Sequence, residues 1–272
     1  MKRAAARAFV VAVIGLSLLG SRLAPNDPFK TNIGLPLQPP GTFVFGTDAL
    51  GRDLFSRVLH GAFSTLACGV GAALIAWTAG AVVGTLSVTG PRIVRSVARM
   101  IVVALLTLPS LMIALVIVSG LGATSMSTLL AAGIAHIGIS SQVWAGSVRR
   151  AYEEPHIEGA RAIGAHPTTV LLFHVLPNVI ETTIAYASTL VASSILLSSG
   201  LSFLGLTGDP SSTDWGNIIA EGRVAIRYAP WILLFPTAAL LSVTTAFNLV
   251  ATGFTRHRLS FQRLPWNRLD NP

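Results

Sequence analysis

Charge is the scarcest commodity in this chain. Only 11% of its 272 residues are Asp, Glu, Lys or Arg, against roughly a quarter in a soluble domain, and that deficit excludes an ordinary water-soluble fold. Lysine is almost absent: Lys2 and Lys30 are the only two, and neither follows a G-x-x-x-x-G loop. A Walker A phosphate loop needs that lysine on the β- and γ-phosphates, so this chain has no such ATP site. The lone Cys68 excludes both a disulfide framework and a CxxC metal site; it lies in an apolar run and reads as a small buried hydrophobe. His60, His136, His156, His166, His174 and His257 are scattered, without the H-x-x-x-H or H-E-x-x-H spacing of a metal site. Serine is abundant in the apolar runs, yet no G-x-S-x-G elbow or Ser–Lys pair argues for an intramembrane hydrolase. No catalytic, metal or cofactor-binding residue is expected.

What the chain does have is length in its apolar runs. Hydrophobic residues make up 52% of it, and several runs approach or exceed the roughly 18–20 residues that cross a bilayer. The pattern predicts an all-α integral membrane protein with six transmembrane helices, at about Ala4–Gly20, Ser64–Val88, Val97–Ser119, Ser127–Val148, Val179–Ser199 and Pro230–Gly253. Lys2, Arg3 and Arg7 before an apolar run resemble a signal peptide, but Arg22 stands where small residues precede cleavage, so the first run is read as a retained helix. Ala24–Thr42, rich in Pro and Gly, reads as an extended loop. Thr47–His60 carries Leu54, Phe55, Val58 and Leu59 at helical spacing, with Asp53 as N-cap, and is expected to lie as a short amphipathic helix at the membrane surface. Three regions follow: residues 1–63 with the first helix, the loop and the amphipathic helix, a transmembrane core at 64–253 that includes the 151–176 loop, and a tail at 254–272.

The net charge of +8 is distributed as a membrane protein distributes it. Thirteen of the 19 Lys and Arg residues fall on the side of the termini and of the 151–176 loop, and six (Arg22, Lys30, Arg52, Arg57, Arg223 and Arg227) on the other. Positive residues accumulate on the cytoplasmic side, so both termini and that loop are expected there. Basic stripes with interleaved aromatics are missing, which excludes nucleic acid as a partner.

Within the 151–176 loop, Pro155 suits a first helical turn and Gly164 the C′ position that ends it, while Glu158 complements the helix dipole. Gly159, Ala160 and Ala162 present little bulk, so another protein surface could approach the backbone closely. After Ala165-His166, Pro167 starts a second helix, and Leu176-Pro177 is expected to turn the chain into the fifth span. The spacing Glu158-Gly159-Ala160, Gly164, Leu176-Pro177, with Arg161 inside it, is that of a protein-docking element.

Four motifs in order carry a resemblance. Phe45-Gly46-Thr47-Asp48-Ala49-Leu50-Gly51-Arg52-Asp53 is similar to an LGTDxLGRD segment; the Glu158–Gly164 loop resembles a coupling loop; Leu201–Leu206 with Trp215-Gly216 and Glu221-Gly222 resembles an external loop. Pro230-Trp231, Phe235-Pro236 and Phe247-Asn248-Leu249 match a last helix. Over about Ala24–Leu249 the chain resembles the C-type permease subunit of dipeptide/oligopeptide (and nickel) ABC importers, departing at Gly159, where the family has a second alanine, and in its tail. The resemblance implies a type I ABC importer permease fold in the bacterial inner membrane and a second, homologous permease subunit. It also implies two ATPase subunits that bind ATP and Mg and dock on Glu158–Gly164, and an extracytoplasmic substrate-binding protein. The external loop's Asp209, Asp214, Trp215, Glu221 and Arg223 are the candidate contacts for that protein, with Trp215 and Trp231 as interfacial anchors.

A second class of function remains open at this point: a stand-alone ion-coupled secondary transporter, with Glu181 and His136 as coupling groups. Against it, Glu181 lies three residues past Asn178, close enough to the membrane surface to reach water, and His136 reads as hydrogen-bonded inside the bundle. No internal repeat supports the inverted design of many such carriers.

Overall fold

The computed structural model describes residues 2–207 and 212–261. Eleven α-helices are found among them: α1 Lys2–Leu23, α2 Leu54–Thr89, α3 Arg92–Thr107, α4 Ser110–Leu121, α5 Ser125–Ala135, α6 Ile137–Tyr152, α7 Pro155–Ala162, α8 Pro167–Thr169, α9 Leu176–Phe203, α10 Trp215–Gly222 and α11 Trp231–Phe261. Extended structure among the described residues is limited to one isolated bridge between Thr47 and Asp53. Backbone in a bilayer must be paired internally, as in helices or closed barrels, and continuous apolar runs of this length suit helices.

Four stretches are long and apolar enough to cross a membrane: Leu54–Thr89, Ser125–Tyr152, Pro167–Phe203 and Trp231–Thr252. The bent pair α3–α4 raises that number to five, so the six continuous spans expected from the sequence are not all found as such. The third expected span, Val97–Ser119, breaks at Leu108-Pro109, and its halves meet at 98°. Pro109 is the cause: it lacks an N–H, and its ring pushes Leu108 out of the helical region to φ −94°, ψ 137°.

The expected surface helix at Thr47–His60 is also corrected. Asp53 does cap a helix, accepting from the Phe55 N–H, but that helix is α2 itself, which runs unbroken into the second span. Residues 47–53 form a tight turn instead, with Gly46 at φ +77° and Gly51 at φ +67°, backbone angles that a side chain would strain. At the other end of α2, orphan carbonyl groups are met by the next helix. Arg95 donates to the Gly90 oxygen and Arg99 to that of Ser87, arginine serving the C-terminal carbonyls as its charge favours.

Helix α2 is the hub of the bundle, packed on α5, α6, α9 and α1. Its approach to α6 is close: a Cβ added at Gly84 would stand 2.5 Å from the Ser141 carbonyl oxygen and 2.7 Å from the Trp144 Cβ. Small residues of this kind let membrane helices pack by contact where no hydrophobic drive exists. His136 sits at the α5–α6 junction with its Nδ1 2.8 Å from the Ala132 oxygen, the internal hydrogen bond expected of it.

Candidate functional site

At one end of the bundle, α6 ends on Arg149 and Arg150, a tight turn follows, and Pro155 opens α7 as its N1 residue. Helix α7 is held down by one side chain. Ile157 is fully buried against Trp144, Val148, Ala151, Val170, Val175 and Val179, while Glu158, Gly159, Arg161, Ala162, Ile163 and Gly164 are exposed and Ala160 is half-buried. The helix ends as expected. Gly164 takes φ +87°, its N–H donates to the Arg161 oxygen, and the Ala165 N–H reaches back to the Ala160 oxygen. That pair of bonds is the Schellman arrangement, which needs a left-handed residue at C′.

The glycines carry further information. A Cβ added at Gly159 or Gly164 meets nothing within 4 Å. At Gly164 the backbone angle demands glycine; at Gly159 nothing inside this chain does. Ile163, 88% exposed, stands beside them, so the loop presents a small-residue platform with an unpartnered apolar side chain.

Leu176-Pro177 does not turn the chain. Residues 167–203 run as one helical rod in which Val170–Val175 form a π turn, and the Leu176 N–H bonds to the Leu171 oxygen five residues back. Pro177 cannot donate and crowds the preceding turn; widening that turn accommodates it without a break. The π turn packs Val170 and Val175 on the same cluster as Ile157, so α7 is mechanically continuous with the long helix α9.

At the opposite end, the segment 47–53 is bound to α10 by four charges. Asp48 accepts from Arg52 Nε (2.6 Å) and Arg57 Nη1 (2.7 Å). Glu221 accepts from Arg52 Nη2 (2.8 Å) and from Arg57 Nη1 and Nη2 (2.6 and 3.0 Å). The Arg57 side chain is wholly buried and that of Arg52 nearly so, so the two arginines and two carboxylates form a neutral cluster. In the sequence Arg52 and Arg57 are charges of the external side and Glu221 a candidate loop contact, and charge sign alone does not indicate that they meet.

The other candidate contacts divide. Trp215 is buried, its indole donating to the Val58 oxygen at 2.8 Å, so it is a core residue and not an interfacial anchor. Asp214 is also buried and caps α10 through the Asn217 N–H. Trp231 is half-buried with its indole 3.3 Å from the Thr47 oxygen. Arg223 is exposed and lies over the Phe203 ring at 5.7 Å. Asp209 falls outside the described residues, as do residues 262–272 of the tail. Glu181 is exposed, as its place near Asn178 suggested. No group of three or more His, Cys, Asp or Glu residues able to hold a metal occurs among the described residues.

Comparison with known proteins agrees with this architecture. Residues 72–258 match the family described as binding-protein-dependent transport system inner membrane component. The glutathione transport system permease protein GsiD of Escherichia coli O1:K1 / APEC is 32% identical over 251 residues, covering 90% of this chain and 82% of that protein. GsiD of Shigella dysenteriae serotype 1 (strain Sd197) is 32% identical over 252 residues with the same coverage. Among solved structures, an amino acid ABC transporter crystallised with histidines matches with a TM-score of 0.59 at 18% identity, over 74% of this chain and 94% of the other; this speaks for the fold alone. The chain belongs to the binding-protein-dependent transport system inner membrane components, as a multi-pass permease subunit of an ATP-binding-cassette importer.

Proposed function

We propose that this permease carries peptide-sized cargo inward, pairing with a homologous second permease to line the pathway. Two separate ATPase subunits, which bind ATP and Mg, dock on the exposed face of α7, and a substrate-binding protein delivers cargo at the opposite face. The observation that carries this reading is the α7 platform. Gly159 is glycine for no reason internal to the chain, while Ile157 ties the same helix to α9 through the π turn. A push on α7 therefore reaches a membrane-crossing helix through packed side chains, as a hinge-type transition between two states requires. The relatives' cargo, glutathione in GsiD's name, is a small peptide, and that chemistry is the class we assign here. The 151–176 loop and both termini face the cytoplasm; the 200–228 segment faces outward. The chain contributes no catalytic group, and energy enters through its partners.

The test is reconstitution of the permease with the ATPase and binding-protein subunits that co-purify with it. Loaded binding protein is expected to raise ATP hydrolysis and to drive uptake of labelled di- and tripeptides into vesicles. Uptake by the chain alone from a pH gradient would overturn the reading.

A further inference from the structure

Between Asp53 and Glu153 the chain holds no carboxylate, yet Arg92, Arg95 and Arg99 all fall in that interval, at the start of α3. All three are exposed, and none forms an ion pair among the described residues. The positive-inside bias accounts for the side they occupy but not for how they are held. Arg95 donates through Nε and Nη2 to the Gly90 oxygen (3.3 and 3.1 Å), and Arg99 through Nε to the Ser87 oxygen (3.0 Å). A guanidinium carries five N–H donors, so both keep donors that these bonds do not use.

The same carbonyl groups mark the end of an apolar groove. A volume of about 260 Å³ opens along the seam between α2 and α3, walled by Val83 and Leu86 of α2 and by Ile93, Val94, Val97 and Ile101 of α3. A Cβ added at Gly90 would stand 2.7 Å from the Leu86 oxygen and 3.2 Å from Val94 Cγ1. The residue that holds Arg95 therefore touches two walls of the groove, and Ser87, which holds Arg99, directly follows Leu86. An aliphatic trough in the span thus ends at a cluster of unpaired cations.

The two properties together narrow the occupant. A trough without a polar wall suits a hydrocarbon chain, and the arginines at its end suit a phosphate. A water-soluble anion would use the arginines alone, and an acidic protein surface would leave the trough empty. Basic pockets beside membrane helices bind anionic lipid head groups by this combination.

We propose that the α2–α3 seam binds one anionic phospholipid, with an acyl chain in the groove and the phosphate on Arg92, Arg95 and Arg99. The assignment requires no particular cargo and stands apart from the peptide reading.

Retained lipids are counted by native mass spectrometry of the assembled transporter, released from nanodiscs holding equal amounts of phosphatidylglycerol and phosphatidylcholine with the same chains. Each variant is compared with wild type, so lipids held by partner subunits cancel. Wild type is expected to keep phosphatidylglycerol in preference. Arg92→Gln should weaken that retention about fivefold, the scale of one basic residue at a membrane surface, and Arg92→Lys should not. Val97→Trp, which fills the trough and leaves every charge in place, should weaken it as well. Arg95 and Arg99 are left intact because they also serve the end of α2. Equal retention of the two lipids, no retained lipid on wild type, or retention unchanged in both Arg92→Gln and Val97→Trp overturns the proposal. An effect in only one variant overturns it too: Arg92→Gln alone means a phosphate site, for which inorganic phosphate would compete, and Val97→Trp alone a chain site blind to charge.

Discussion

Arg57 and Glu221, 164 positions apart, meet through two nitrogen–oxygen contacts of 2.6 and 3.0 Å, with the arginine side chain wholly buried. A guanidinium in such a place is tolerated only because Glu221 and Asp48 surround it. The pair locks the beginning of α2 to α10, and with it the segment 47–53 that precedes α2.

Removing one partner strands the other. Glu221→Ala is expected to destabilise the protein by about 2–3 kcal/mol, at or below the low end for a broken buried pair because Glu221 keeps some solvent contact. Asp48→Ala should cost more, since Asp48 also accepts from the backbone N–H groups of Leu50 and Arg52. Thermal unfolding in detergent checks both, and the double variant Arg57→Met with Glu221→Leu should recover most of the loss. A Glu221→Ala protein as stable as wild type would contradict the account.

Gly159→Arg separates folding from coupling. A Cβ added there meets nothing within 4 Å and position 159 is exposed, so membrane insertion and thermal stability should stay near wild type. Binding-protein-stimulated ATP hydrolysis and uptake should fall by about tenfold or more, the scale of an interface hot spot. Normal uptake in this variant would remove α7 as the docking surface. Gly164→Val is a less clean test, because φ +87° strains any β-branched residue regardless of partners.

Ile157→Ala probes the link rather than the surface. Truncating a fully buried isoleucine costs about 2–5 kcal/mol, and here the loss falls locally on the anchoring of α7. ATPase subunits should still co-purify, while uptake per ATP hydrolysed drops; an unchanged ratio would show that α7 needs no anchor.

Sidedness is checked by single cysteines in a Cys68→Ala background. Trp215 is too buried for this purpose, so the external site is Val224, 86% exposed. A membrane-impermeant thiol reagent applied to intact cells should label position 224 and spare position 166; the reverse pattern would invert the topology.

Glu181→Gln should leave uptake within about twofold of wild type, because no proton passes through this exposed carboxylate, whose place near the membrane surface is not that of an intramembrane relay. Abolished uptake would point to ion coupling.

Local chemistry wrote much of this protein into its sequence. Low charge and long apolar runs determined a helical membrane protein, since unpaired backbone cannot exist in lipid. Pro155 and Gly164 marked the ends of α7, and Asp53 the start of α2, because caps are settled by residues a few positions apart. Pro109 also carried a local signal for the break between α3 and α4, which hydropathy averaged over a whole span concealed. Other features depended on partners distant in the chain. Whether Pro177 would break a helix or be absorbed in a π turn was decided by the packing of Val170 and Val175 on Ile157. Whether Trp215 faced the membrane surface or the core was decided by the Val58 carbonyl. That Arg52 and Arg57 meet Glu221 follows only from the placement of α10 against α2, for a charge carries no label of its partner until the fold removes water from between them.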